Sequence, residues 1–70
     1  MTAEEAIDAL LKSKKAVVYA KAIAPIVEMH PGEIIRQAKA GEWRGGNYII
    51  SGQSVKFFRL DFLRKAGIIQ

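Results

Sequence analysis

The side chains of this sequence that could do chemistry are mainly basic and amide groups, which suit an anionic partner. Eleven Lys and Arg stand against seven Asp and Glu, a formal charge of +4 at pH 7. Residues 43–70 carry Arg44, Lys56, Arg59, Arg64 and Lys65 but a single acid, Asp61. A polyanion such as DNA or RNA would therefore bind the second half of the chain. Charge alone leaves open a basic domain without a nucleic-acid partner.

Arg36 and Gln37 are the two side chains best suited to reading a base sequence. They lie in an amphipathic segment, residues 33–40, in which Ile34, Ile35 and Ala38 form the apolar face. An Arg side chain binds guanine and a Gln side chain binds adenine, each through two hydrogen bonds in the major groove. The outward face of this segment can therefore contact bases, and the alternative is an ordinary solvated helix face.

Catalytic and metal-binding patterns are not found in the sequence. His30 is the only histidine and has no Cys, Asp or Glu around it at metal-ligand spacing. We expect it to be a capping or surface group at a helix–helix turn. The early acids, Glu4, Glu5 and Asp8, suit the positive end of a helix dipole better than acid–base catalysis. We expect a protein that is not an enzyme and that needs no cofactor or metal.

Length and composition indicate one small domain, residues 1–70. Half of the residues are apolar, and there is no cysteine for a disulfide or a thiolate metal site. No apolar run approaches the roughly 20 residues that cross a bilayer. The first residues carry acids before bases, the reverse of a secretory signal. We therefore expect a cytoplasmic protein that does not contact a membrane.

The first helix is predicted over about residues 3–13, inside an accessory segment of residues 1–15. Thr2 and Glu5 have the spacing of a capping box. The helix carries an apolar stripe of Ala3, Ala6, Ile7, Leu10 and Leu11. This stripe must be covered by the rest of the domain or by another copy of the chain.

Two more helices follow a short extended segment. Val17, Val18 and Tyr19 are typical of a strand or an extended linker. The second helix is predicted over residues 20–29. Pro25 would cost about 3 kcal/mol in a helix interior, and less if the helix began near Lys21 or Ala22. Pro31 suits the first position of a third helix, and Gly41 its C-terminal cap.

A hairpin and a last helix complete the chain. Two β-prone runs, residues 48–50 and 55–58, flank Gly52, which can adopt a positive φ at the tip. Val55 and Phe57 should share one face, and Lys56 and Phe58 the other. We expect Gln53, Ser54 and Lys56 at the exposed tip or edge, and Trp43 packed onto the core.

The last helix is predicted over residues 60–65 and ends at Gly67. Its packing residues are Leu60, Phe62 and Leu63. The apolar tail, residues 68–70, forms an extra strand or covers the core.

Two segments in this order resemble a known group of proteins. They are AKAIAPIVEMHPGEIIRQAKAG, residues 20–41, and YIISGQSVKFFRLDFLRKAG, residues 48–67. The chain resembles the small winged helix-turn-helix proteins of phages and mobile elements, which include excisionases and regulator relatives in the MerR-like superfamily. The resemblance implies a mainly α fold with a small β-hairpin, that is, three to four short helices plus a two- or three-stranded wing. The DNA-binding core would be residues 17–67.

The resemblance also implies which residues bind double-stranded DNA. The third helix would enter the major groove through Gly32, Glu33, Arg36, Gln37, Lys39 and Ala40. The wing, residues 52–56, and its surroundings would contact phosphates and the minor groove through Arg44, Gln53, Ser54, Lys56 and Arg59. Family wings often have a basic residue where this chain has Ser54, and a Pro where it has Phe58. Lys56 and Arg59 are therefore the expected phosphate ligands.

The function implied is that of an excisionase, or recombination directionality factor, which binds and bends DNA to direct a partner integrase. A small transcriptional regulator with the same DNA-binding mode is the nearest alternative. A protein-interaction module without DNA binding, acting through the first helix, is another. The same helix would also support self-association on DNA.

Overall fold

The computed structural model describes all 70 residues as four helices and a three-stranded antiparallel sheet. The elements are α1 (Ala3–Lys12), β1 (Val17–Tyr19), α2 (Ala20–Val27), α3 (Pro31–Lys39), β2 (Tyr48–Ser51), β3 (Ser54–Phe58) and α4 (Arg59–Lys65). The sheet order is β1-β3-β2, so the hairpin of β2 and β3 gains β1 as a third strand. None of the helices is long and apolar enough to cross a membrane.

Helix α1 begins with the expected capping box. The Thr2 N–H donates to Glu5 Oε1 at 2.9 Å, and the Glu5 N–H donates to Thr2 Oγ1 at 3.2 Å. Two backbone donors that the helix leaves free are thereby satisfied. The domain covers Ala6 and Leu10 of the apolar stripe, whereas Leu11 stays 48% exposed. The stripe is therefore only partly buried by its own chain.

Residues 17–19 form a strand rather than a linker. Val17 pairs with Phe58, Val18 with Phe57, and Tyr19 with Lys56. The β-branched and aromatic side chains suit this pairing because they pack well on a pleated surface. As a result β3 is the central strand of the sheet, with β2 on its other side.

Pro25 lies inside α2 and not in its first turn. The helix starts at Ala20, directly after β1, so a start near Lys21 or Ala22 is not what the structure shows. Pro25 lacks the N–H that would bond to the carbonyl of Lys21. The helix ends two residues later, at Val27, short of the expected residue 29. Glu28 then adopts the left-handed conformation, with φ 57°.

The core lies between the helices and the inner face of the sheet. Its largest fully buried side chains are Ile23, Ile34, Phe57, Phe62 and Leu63. Trp43 packs here as expected: it is 7% exposed, and its ring meets that of Phe57 edge-on at 5.5 Å. These contacts join α2, α3, α4 and β3 into one apolar cluster.

One packing prediction in α4 is wrong. Leu60 is 45% exposed, whereas Phe62 and Leu63 are buried as predicted. Leu60 lies in the first turn, about 200° around the helix axis from Phe62, at 3.6 residues per turn. The helix ends before Gly67, as predicted, and Gly67 has a positive φ of 77°. Ile68 and Ile69 then pack against the core and form no strand.

Candidate nucleic-acid interface

A short turn joins α2 to α3 and fixes where α3 begins. His30 is the N-cap of α3, and its Nδ1 accepts a hydrogen bond from the Gly32 N–H at 3.0 Å. Pro31 follows as the first helical residue, where its missing N–H costs nothing. The expected capping role of His30 and the expected position of Pro31 are both confirmed. Ile23 and Ile34, each fully buried, hold the two helices together.

The reading face of α3, defined as Glu33, Arg36 and Gln37, is linked by its own hydrogen bonds. Arg36 Nε donates to Glu33 Oε1 at 2.9 Å, and Arg36 Nη2 donates to Glu33 Oε2 at 2.7 Å. Gln37 Nε2 also donates to Glu33 Oε2, at 3.2 Å. Ile34 and Ala38 are buried on the other side of the helix. The predicted apolar and polar faces are therefore present, and Glu33 is the hub of the polar one.

Glu42 also binds Arg36, and the sequence reasoning missed it. Its Oε1 lies 3.3 Å from Arg36 Nη2. Gly41 has φ 74°, which turns the chain back at the end of α3. The Glu42 N–H consequently donates to the Gln37 carbonyl at 2.8 Å. The sequence predicts Gly41 as the C-terminal cap of α3. A cap of this kind directs the following residue, Glu42, back toward the helix.

Hydrogen bonding keeps the two charged side chains of the reading face, Glu33 and Arg36, ionised. The hydrogen bonds from Arg36 and Gln37 lower the pKa of Glu33 from 4.5 to about 2. The bond and charge of Glu33 in turn raise the pKa of Arg36. At neutral pH one guanidinium therefore stands between two carboxylates. Any anion that approaches Arg36 also meets Glu33 and Glu42.

The other predicted residues of α3 lie around this face. Lys39 is exposed in the last turn and forms no ion pair. Ala40 is the exposed C-cap, and Gly32 is exposed in the first turn. The side chain of His30 limits the space at Gly32, because an added Cβ would lie 3.1 Å from Nδ1. Gly32 at one end of α3, and Lys39 and Ala40 at the other, are therefore exposed to solvent.

The tip of the hairpin lies beside the first turn of α3. Ser51 pairs with Ser54, Gly52 has φ 59° as predicted, and Gln53 and Ser54 are exposed. Between the tip and α3 is an open groove of about 300 Å³, whose lining includes Lys21, Pro31, Ile35, Gln53 and Ser54. The structure therefore brings the predicted wing and the predicted reading helix together, and it adds Lys21 to them.

Lys56 is not at the tip or the edge of the sheet, so this expectation is wrong. It lies in the central strand, opposite Tyr19 of β1 and Ile49 of β2, and is half-buried. Its position follows from β1, which pairs with the side of β3 that a two-stranded hairpin would leave open. Its ammonium group is on the sheet face opposite the core residues Val55 and Phe57.

Arg59 ties α4 to the end of α1. Its Nε donates to the Lys15 carbonyl at 2.7 Å, and its Nη1 donates to the Leu10 carbonyl at 2.8 Å. Its backbone N–H also donates to the Ala16 carbonyl, at 3.0 Å. The Leu10 carbonyl lies in the last turn of α1, where partial negative charge favours a cation, and it accepts the guanidinium in addition to the Ser13 N–H. The expected phosphate ligand has a structural role here.

Arg44 is exposed in the loop between α3 and β2. Asp61 of α4 holds the end of this loop that leads into β2, because its Oδ2 accepts the Asn47 N–H at 2.6 Å. An added Cβ on Gly45 would lie 2.4 Å from Trp43 Cζ2, so the indole packs directly on this glycine. The loop is thus anchored at Trp43 and at Asn47, and Arg44 extends from it.

The structure contains no group of three His, Asp or Glu side chains that could hold a metal ion. No protein-family model, curated protein or solved structure matches the chain.

Proposed function

We propose that this chain is a sequence-specific double-stranded DNA-binding protein with a winged helix-turn-helix fold. In this proposal α3 enters the major groove and the tip of the β2–β3 hairpin is the wing. The observation that carries it is the groove in which the first turn of α3 lies next to Gln53 and Ser54. One duplex could contact both elements at once, with α3 in the major groove as in other helix-turn-helix proteins.

The packing of α2 and α3 supports this assignment. A reading helix has to be held rigidly while one face stays free. The buried Ile23, Ile34 and Ala38 hold α3, and the opposite face carries Arg36 and Gln37. An α-helix fits the major groove, where Arg reads guanine and Gln reads adenine.

Phosphate contacts would come from basic residues around α3 and the wing. Lys21, Lys39 and Arg44 are exposed and form no ion pair in the structure. Such contacts supply most of the affinity and set the register, while base contacts select the sequence. In this arrangement Lys21 is a phosphate ligand, a role that the resemblance implied for Arg59.

The two carboxylates beside Arg36 would favour specific over random DNA. Phosphate oxygens that approach Arg36 are repelled by Glu33 and Glu42. A guanine edge can replace the carboxylates because it offers two acceptors to the same guanidinium. Glu33, once released, is of the residue type that accepts a hydrogen bond from cytosine N4.

The proposal is tested by measuring the affinity for a panel of duplexes at several salt concentrations. Arg36→Ala should reduce discrimination at one base pair by roughly 1–3 kcal/mol. Lys39→Ala should weaken binding to all duplexes about equally and lower the salt slope by about one. An Arg36→Ala variant with unchanged base preference would remove α3 from the reading role.

We further propose that the DNA-binding activity serves site-specific recombination. The resemblance to excisionases supports this step: the protein would bind short repeats cooperatively, bend them and direct a partner integrase toward excision. A transcriptional regulator with the same binding mode is the alternative. Two measurements separate them, the bend angle of the bound duplex and the excision rate of a candidate partner integrase with and without this protein. An unbent duplex and an unchanged excision rate would favour the regulator.

A further inference from the structure

Strand β2 is a free edge of the sheet. It pairs with β3 on one side, and no strand pairs with it on the other. Ile49 and Ile50 of this strand are 45% and 47% exposed, and Ser51 is exposed as well. We call the unpaired side of Tyr48–Ser51 the β2 edge.

The hydrogen bonds of the sheet show which backbone groups lie on the β2 edge. The Phe58 N–H donates to the Asn47 carbonyl at 3.1 Å, so Asn47 is bonded toward β3. Residues bonded toward the neighbouring strand alternate along an antiparallel pair. Ile49 is therefore bonded toward β3, whereas the N–H and C=O groups of Tyr48 and Ile50 point away from it. No backbone bond outside the sheet engages these four groups.

The β2 edge also lacks the features that usually prevent a sheet edge from pairing with another chain. Such edges commonly carry charged side chains, especially Lys, or a proline. Neither a charge nor a proline occurs between Arg44 and Lys56. The other edge strand, β1, differs, because Lys15 and Lys21 flank its three residues. Two chains of formal charge +4 can therefore bring their β2 strands together without placing like charges on the facing strands.

The four free backbone groups are self-complementary in one register. If two antiparallel copies of β2 place Tyr48 opposite Ile50 of the second copy, each such pair exchanges two hydrogen bonds, and all four groups of both strands are paired. If Tyr48 instead faced its own copy, Ile50 would lie opposite Gly46. If Ile50 faced its own copy, Tyr48 would lie opposite Gly52. Both glycines have a positive φ and lie outside the strand, so these registers leave groups unpaired.

We propose that β2 pairs with β2 of a second copy of this chain, antiparallel about a two-fold axis at Ile49. The two three-stranded sheets then form one continuous sheet. Ile49 faces its own copy, with the two Cβ atoms about 4.5–5.5 Å apart. Ile50 packs beside Tyr48 of the second copy on the other face of the sheet.

This pairing covers the exposed apolar surface of both isoleucines and satisfies the free backbone groups at the same time. The contact is isologous, because the same strand is used by both chains, and it closes at the dimer. The β2 edge is short, so the interface is small and the dimer is expected to be weak.

Sedimentation equilibrium without DNA measures the mass of the protein against its concentration, so the outcome is independent of the proposed function. The wild type should change from monomer to dimer between micromolar and millimolar concentrations. Ile50→Pro removes a donor from the β2 edge and leaves the bonds between β2 and β3 in place. It should weaken the dimer by about tenfold or more, since the bond is lost twice in a symmetric pair. Circular dichroism would show that the variant keeps its fold.

Opposite charges at position 49 test the register. Ile49→Glu sets two carboxylates against each other at the axis, and Ile49→Lys sets two ammonium groups against each other, so each variant alone should dimerise more weakly than the wild type. A mixture of the two variants should dimerise again, because an acid then faces a base. This recovery requires a residue that faces its own copy. Leu60→Glu is the matched control, because Leu60 is also 45% exposed but lies on α4, and it should leave the dimer unchanged.

A wild type that stays monomeric at every concentration would overturn the proposal. A dimer that Ile50→Pro does not weaken, or a mixture of the position-49 variants that stays monomeric, would place the interface elsewhere and would also overturn it. A loss with Leu60→Glu as large as that with Ile49→Glu would attribute the effect to net charge and would count against the β2 edge.

Discussion

Replacing Arg59 with alanine should separate the start of α4 from the end of α1. The substitution removes the hydrogen bonds from Nε to the Lys15 carbonyl and from Nη1 to the Leu10 carbonyl. No other side chain is bonded to these two carbonyls, and the one at Leu10 is partly buried. The residues 13–16 that lead from α1 into β1 would then be held to α4 only by the backbone bond from Arg59 to Ala16.

The size of the loss follows from the two bonds. A hydrogen bond to a charged group contributes about 1.5–3 kcal/mol. The bond to Lys15 is exposed and the bond to Leu10 only partly buried, so we take the low end, about 2–3 kcal/mol for both together. A domain of this length is stable by about 4–10 kcal/mol. Arg59→Ala should therefore lower the melting temperature by about 10–20 °C.

Urea denaturation followed by circular dichroism measures this change directly. Arg64→Ala is the matched control, because Arg64 is exposed on the same helix and forms no ion pair. It should change the free energy of unfolding by less than about 0.5 kcal/mol. Arg59→Lys keeps the charge and one donor and should fall between the two. If Arg59→Ala proved as stable as Arg64→Ala, the structural role given to Arg59 would be refuted.

Further variants at three sites probe the loop, the turn and the reading face. Gly45→Ala should destabilise the domain by about 1–3 kcal/mol, because the new Cβ would lie 2.4 Å from the buried ring of Trp43. A shift in the emission maximum of the tryptophan would report the displaced ring. An unaltered emission spectrum would argue against this packing. His30→Ala should cost about 1 kcal/mol through loss of the cap on Gly32, whereas His30→Asp should retain most of it; equal losses in urea denaturation would count against the cap. The pKa of Glu33, about 2 against an ordinary 4.5, means that its contacts stabilise the fold above about pH 4.5 and are lost as the pH falls toward 2. The stability difference between wild type and Glu33→Gln should shrink over that range, and a constant difference would contradict the assignment.

Local signals in the sequence predicted most of the secondary structure. The Thr2–Glu5 capping box begins α1, Pro31 begins α3, and Gly52 adopts a positive φ at the hairpin tip. Each signal acts through a neighbouring backbone group, so its effect is readable without the tertiary fold. Trp43 was also placed correctly, because a large indole is usually buried.

The features that the sequence did not predict depend on contacts between distant segments. Arg59 binds carbonyls of residues 44 and 49 positions earlier in the chain, and no local pattern marks such a pair. Lys56 lies in the central strand of the sheet only because β1 pairs with β3. Tertiary contacts fixed both positions, and local sequence patterns do not report such contacts.

The central claim is that α3 reads a DNA sequence, and selection of bound duplexes from a random pool at a fixed salt concentration tests it most directly. The wild type should enrich a short motif, and Arg36→Ala should lose the preference at one position of that motif while it keeps the others. Both proteins should bind more weakly as the salt concentration rises. A pool that remains random after selection with the wild type would contradict the claim.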